Sequence, residues 1–189
     1  LENQAYYYIS TFDSSASLAD GVAIEFDLGI RRTGAGKENF IIGRDSSGET
    51  NFILNLEDGN QHLDYRTSTP SWVALDDSVV WNQIGTDIMS QADMKTVTLK
   101  LSNNNMDVLI NGNVMANGED ISYYTGSLTE ISEIIWAGSD HFIGGGNTSG
   151  MFLDDYIVTS SGGGSGGLTY FITNTVNISG GNSDPTNDS

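Results

Sequence analysis

The sequence predicts an all-β fold, a sandwich of two antiparallel sheets. Three observations carry that expectation. Apolar residues recur at every second position, turn-forming residues separate the alternating runs, and no segment has a convincing helical period. A chain of 189 residues with 10% aromatic side chains can fill one two-layer core without a second domain.

The runs follow one another in order. "VAIEFDLG" sends Val22, Ile24, Phe26 and Leu28 to one face and Glu25 and Asp27 to the other. "NFIIG" (39–43) leads through the turn "RDSSGE" into "NFILNLE", whose Phe52, Leu54 and Leu56 point inward. Asp58-Gly59 supplies the positive φ of a tight hairpin before "HLDYRT". Then "KTVTLKLS" turns Val97, Leu99 and Leu101 inward, and "MDVLIN" turns Met106, Val108 and Ile110 inward, closing at Asn111-Gly112. "EIIWAG" and "MFLDDYIV" bring the expected count to about ten strands. Residues 1–160 are the expected sandwich, and 161–167 read by composition as a Gly/Ser linker. Within 168–189, Leu168 to Ile178 is expected to be an edge strand, because a stranded β-prone apolar segment invites aggregation, and a polar tail follows.

Twenty-five acidic residues against seven basic ones leave a formal charge of −18. That balance opposes nucleic acid, which is held by Lys and Arg, and anionic membrane surfaces. Neutral ligands and cations are the natural partners. The chain has no cysteine, which points to a bacterial rather than an animal extracellular protein. No apolar run is long enough to span a membrane, and "LENQAYYYIS" opens on a strand-like run rather than a signal peptide. The expectation is a secreted module cut from a larger multimodular protein.

The succession "NFILNLEDGNQHLDYRT", "VTLKLSNNNMDVLINGN" and "ISEIIWAGSDHFIGGGNTSGMFLDDYIV" resembles the concanavalin A-like jelly roll. It is most similar to laminin-G-like domains and to carbohydrate-binding modules of bacterial plant-cell-wall-degrading enzymes. The resemblance covers roughly residues 5 to 160 and rests on pattern: two mid-chain hairpins, one ending in "INGN", and a last strand of the form apolar–Asp–Asp–apolar–x–Val. It implies two stacked sheets, often with a structural Ca²⁺, and a saccharide site in a groove or at a loop edge. A fold shared by lectins, hydrolases, lyases and adhesion domains does not settle function by itself.

Catalysis is not signalled. Hydrolases of this fold carry Glu-x-Asp-x-x-Glu on one strand, and retention needs two carboxyls about 5 Å apart. "EFDLGI" offers Glu25 and Asp27 but Ile30 in place of the second Glu. The Gln-x-His and Arg-rich strands of lyases are also missing. For a metal, Asp154 and Asp155 stand side by side in an apolar strand. Alternation would turn one of them inward, where a hard cation such as Ca²⁺ offsets lost hydration. Glu2, on the neighbouring N-terminal segment, is the expected third ligand.

Saccharide binding is the favoured chemistry. A pyranose stacks its C–H face on an aromatic ring and offers hydroxyls to polar side chains. Trp72, beside Pro70 on a loop, is the expected platform. His62, Asp64, Arg66 and Asn55, on the non-core face of adjacent strands, are the expected hydrogen-bonding groups. Trp136 is a further aromatic candidate, because Ile134-Ile135 breaks the alternation around it. The expected function is a non-catalytic module that targets an enzyme or cell-surface complex to plant polysaccharide. A neutral β-glucan or xyloglucan is favoured over pectin. A laminin-G-like adhesive domain is the alternative reading, and a divergent hydrolase or lyase a more distant one.

Overall fold

A computed structural model describes residues 4–30, 38–57, 63–66, 72–75, 94–140, 151–160, 168–169 and 172–179. Among the described residues every regular element is a strand, thirteen in all, numbered in chain order. One sheet has seven strands, in the order β13 (Ile172–Ser179), β1 (Gln4–Ser17), β10 (Glu130–Asp140), β3 (Glu38–Arg44), β4 (Thr50–Glu57), β5 (Leu63–Arg66) and β6 (Trp72–Ala74). The other has six, in the order β12 (Leu168–Thr169), β11 (Met151–Ser160), β2 (Val22–Ile30), β7 (Lys95–Ser102), β8 (Asn105–Ile110) and β9 (Asn113–Asp120). Every pairing is antiparallel. The protein is a two-sheet β-sandwich.

Alternation decides which side chains meet between the sheets. Val22, Ile24, Phe26 and Leu28 from β2, Phe52, Leu54 and Leu56 from β4, and Val97, Leu99 and Leu101 from β7 are all buried there. Met106, Val108 and Ile110 of β8 join them. The β8–β9 turn has Asn111 at φ 50° and Gly112 at φ 77°, the left-handed pair a two-residue hairpin needs to match strand twist. The Asp58-Gly59 turn lies outside the described residues. The C-terminal apolar segment forms β13, which lies along β1 from Ala5↔Ser179 to Phe12↔Ile172 as an edge strand of the seven-stranded sheet.

One end of the sandwich is tied by Asp45, a carboxylate only 6% exposed. Its Oδ1 accepts N–H bonds from Ser47 (2.9 Å) and Glu49 (3.0 Å) and the Ser47 hydroxyl (2.7 Å), which closes the turn between β3 and β4. Its Oδ2 accepts the Ser127 N–H at 2.7 Å from the distant loop before β10. Burial pushes this carboxyl up, but the bonds from Ser47, Ser127 and Glu49 together hold its pKa below the ordinary 3.8.

Close packing leaves no room at Gly43, where β3 passes the Phe52 ring. A Cβ added there would overlap the ring's Cε1 and Cδ1 edge. We therefore expect Gly43→Ala to cost about 1–3 kcal/mol in urea unfolding. Phe52→Leu in the same chain should recover part of that loss, because the clash and the cavity share one volume. An unchanged midpoint for Gly43→Ala alone would contradict this packing.

Candidate functional site

The outer face of the seven-stranded sheet is built in rows, because residues paired across strands share a face. One row is apolar: Ile9 on β1, Ile135 on β10, Ile42 on β3 and Ile53 on β4 are successive partners. Ile9, Ile42 and Ile53 are half-buried, and Ile135, at 6% exposure, is buried yet stands apart from the main core. The row on one side runs Ala137, Phe40, Asn55, Asp64 and Ala74. The row on the other side carries Glu133 opposite Arg44, whose guanidinium stands 3.7 Å from the Glu133 carboxylate. Where β5 meets β6, Arg66 is the register partner of Trp72.

Register therefore brings Asn55, Asp64, Arg66 and Trp72 to one face of one sheet. The side chains of Arg66 and Trp72 lie outside the described residues, and so do His62 and Glu2. Asn55 and Asp64 do not present themselves to solvent. They are 2% and 5% exposed, so a ligand hydroxyl does not reach either without rearrangement. Asn55 Oδ1 is buried without a hydrogen-bond partner, an arrangement that costs stability unless something offsets it.

Trp136 is elsewhere. It is 6% exposed, on the inner face. Its ring meets Phe26 edge-on at 4.9 Å and Tyr156 edge-on at 5.4 Å, and its indole N–H donates to Ser10 Oγ at 3.2 Å. With its polar edge satisfied and only 6% of it exposed, this indole is a core residue and has no surface on which a sugar can stack. The Ile134-Ile135 doublet does not break the alternation around it. Ile134 points inward and Ile135 points to the apolar outer row.

The aspartate pair is corrected as well. Both Asp154 and Asp155 are exposed. A register shift between Asp154 and Ile157 inserts an extra residue in β11, and Asp155 adopts φ 48° with its N–H bonded to Asp154 Oδ1 at 2.9 Å. A bulge of this kind lets two consecutive side chains leave by the same face. The buried charge that argued for Ca²⁺ is thus not there, and among the described residues no three His, Asp or Glu side chains group to hold a metal. Glu25 and Asp27 lie on the outer face of the six-stranded sheet. Each accepts a threonine hydroxyl from β7, Thr98 at 3.0 Å and Thr96 at 2.6 Å.

Sequence reasoning missed Arg44, Ile42, Ile53 and Phe40 as parts of this face. The signal was present in the doublets Ile41-Ile42 and Ile134-Ile135: adjacent apolar residues on a strand mean that both faces of the sheet are apolar there.

No family model matches the chain, and no curated relative does. Among solved structures it is similar to a sialidase at 12% identity and TM-score 0.59, over 82% of this chain and 14% of that one. The chain thus spans about one-seventh of that sialidase. A Trypanosoma rangeli sialidase mutant displaying trans-sialidase activity aligns at 15% identity and TM-score 0.48, over 73% of this chain and 20% of that one. Sheep galectin-11 in complex with glycerol aligns at 13% identity and TM-score 0.42, over 84% and 98%. What is shared is a β-sandwich. At these identities the first likeness is one of fold, and the two below 0.5 support no conclusion about function.

Tyr65, between Asp64 and Arg66 on β5, faces inward and fastens the strand that carries the site. Burial, then a hydrogen bond to the Glu119 carboxylate and repulsion from its charge, push the phenol from 10 up to about 12. Below pH 10 the phenol is neutral in both folded and unfolded chains, and its stabilisation is complete. Between pH 10 and 12 the unfolded phenol ionises first, so stability drains away as pH rises. Urea midpoints measured across that interval should fall more steeply for the wild type than for Tyr65→Phe. Parallel curves would remove Tyr65 from this role.

Proposed function

We propose that the protein is a non-catalytic carbohydrate-binding module whose saccharide site is the outer face of the seven-stranded sheet, centred on the β5–β6 end. The observation that carries the reading is the register pairing of Arg66 with Trp72 beside an in-register isoleucine row. A tryptophan at a register position beside an apolar row suits the C–H face of a pyranose, and arginine at positions 66 and 44 offers donors for its hydroxyls. Asn55 and Asp64 are buried in the same face, so this reading gives them no contact with the sugar. A chain of −18 charge favours an uncharged polymer, and we assign the ligand class as a neutral β-glucan or xyloglucan, with pectin the rival. In this reading the module belongs to a larger secreted protein and brings a catalytic or cell-surface partner to plant cell-wall polysaccharide. Ile30 in place of the second glutamate of the hydrolase pattern, after Glu25 and Asp27 in "EFDLGI", supports binding without cleavage.

The adhesive-domain reading would gain from a broad exposed apolar patch. Ile157 and Val114 are exposed at 46% and 61%, but Glu25 and Thr98 stand in the same row between them. Single exposed apolar residues need no partner to explain them.

Native gels cast with xyloglucan, β-glucan or pectin test the proposal. Wild-type migration should be retarded by a neutral glucan, and Trp72→Ala should weaken the interaction about tenfold or more, equivalent to about 1.4 kcal/mol. Equal retardation of the variant would misplace the site. Retardation by none of the three polymers would overturn the function, and release of reducing ends would overturn its non-catalytic character.

A further inference from the structure

The outer face of the six-stranded sheet, on the opposite side of the sandwich, carries a hollow of about 410 Å³. It lies between the start of β2 and the β7–β8 hairpin. Its origin is a difference in side-chain size along one row. The outward positions at the start of β2 are Gly21 and Ala23, which have almost no side chain. Their outward neighbours are Lys100 and Ser102 on β7 and Asn105 and Asp107 on β8. Ala23 is in register with Lys100, and Lys100 with Asp107. A methyl floor is thus flanked by an ammonium, a carboxylate, an amide and a hydroxyl. Asp107 is held in place by the Gly118 N–H, which donates to its Oδ1 at 2.6 Å from a register shift in β9. Asp20 closes the rim.

The lining narrows the ligand by elimination. Its volume falls within the range of small-molecule sites, about 300–1,000 Å³. Asp20 and Asp107 oppose an anion, and Lys100 offsets one of their two charges and so weakens the pull on a bare cation. Among the described residues no aromatic ring lines it, so the proposed capture does not rely on stacking. Donors from Lys100, Asn105 and Ser102 alternate with acceptors from Asp107, Asp20 and Asn105. A hydroxyl donates and accepts through a single atom, so a neutral polyhydroxylated molecule satisfies the whole set.

We propose that this hollow is a second saccharide subsite, which takes a single neutral sugar residue or chain end by hydrogen bonding alone. Its choice of ligand rests on the glycan-binding role proposed for the module, but its position is independent of the Trp72 face. The two sites lie on opposite sheets, so one module would engage two polysaccharide chains or two segments of one chain. Even a weak second contact then raises retention on an insoluble polymer through effective concentration.

The test is a ¹H–¹⁵N titration of the whole chain with glucose and with a xyloglucan oligosaccharide. Saturable shifts are expected at the amides of Gly21, Ala23, Ser102 and Asn105, with an apparent Kd on the order of millimolar. Ala23→Leu, which fills the hollow from the solvent side without entering the core, should abolish them. Lys100→Met should weaken them about fivefold, and Trp72→Ala should leave them unchanged. Shifts that survive Ala23→Leu, or that vanish with Trp72→Ala, overturn the second subsite. Silence at these amides while gel retardation persists also overturns it and leaves the first site standing. Silence in both measurements sinks both readings. Stronger shifts with a polyamine than with any neutral sugar would overturn the ligand class.

Discussion

Burial of the Trp136 indole between the two sheets is the interaction on which the rest of the architecture depends. It stands on β10, the strand that joins β1 to β3, and reaches across to Phe26 of β2 and Tyr156 of β11. Edge-to-face pairs of this kind contribute about 0.5–1.5 kcal/mol each beyond the area they bury. The indole N–H bond to Ser10 removes the penalty of hiding a donor. With Trp136 facing inward, pairing settles the face of every residue in the neighbouring strands. Ile135 must face outward, and Ile42, Ile53 and Ile9 follow it into one row. The apolar strip beside the Trp72–Arg66 pair is in this sense a consequence of the core.

The core was legible in the sequence because period-2 alternation is a local property. The inward positions of β2, β4, β7 and β8 can be read directly from the chain, and the Asn111-Gly112 turn follows from its need for positive φ. What alternation could not supply was any departure from itself. The bulge in β11 frees Asp155 from the inward position that strict alternation demands, and no residue pattern around Asp154 announces it. The doublet at 134–135 reads as an interruption only if one face of the sheet is polar. The burial of Asn55 and Asp64 is a tertiary property, and residue type alone points the other way.

The two outer faces differ in chemistry. The seven-stranded sheet offers an isoleucine row with Arg44 and Glu133 on one side and a mixed row of Ala137, Phe40, Asn55, Asp64 and Ala74 on the other. The six-stranded sheet offers acidic and hydroxyl-bearing rows, with Glu25 and Asp27 each bonded to a threonine and a polar hollow near the β7–β8 turn. On the proposed reading, the strongly negative charge and these two surfaces suit uncharged, hydroxyl-rich ligands.

Hydrogen–deuterium exchange on the whole chain, with and without a saturating xyloglucan oligosaccharide, tests the central claim most directly. Ligand should slow exchange in 63–66 and 72–74 and in the adjoining strand 50–57, because a sugar seated on that face restrains those strands and shields their amides. Exchange in those segments that stays unchanged under saturating ligand, with protection only elsewhere or nowhere, would contradict the account.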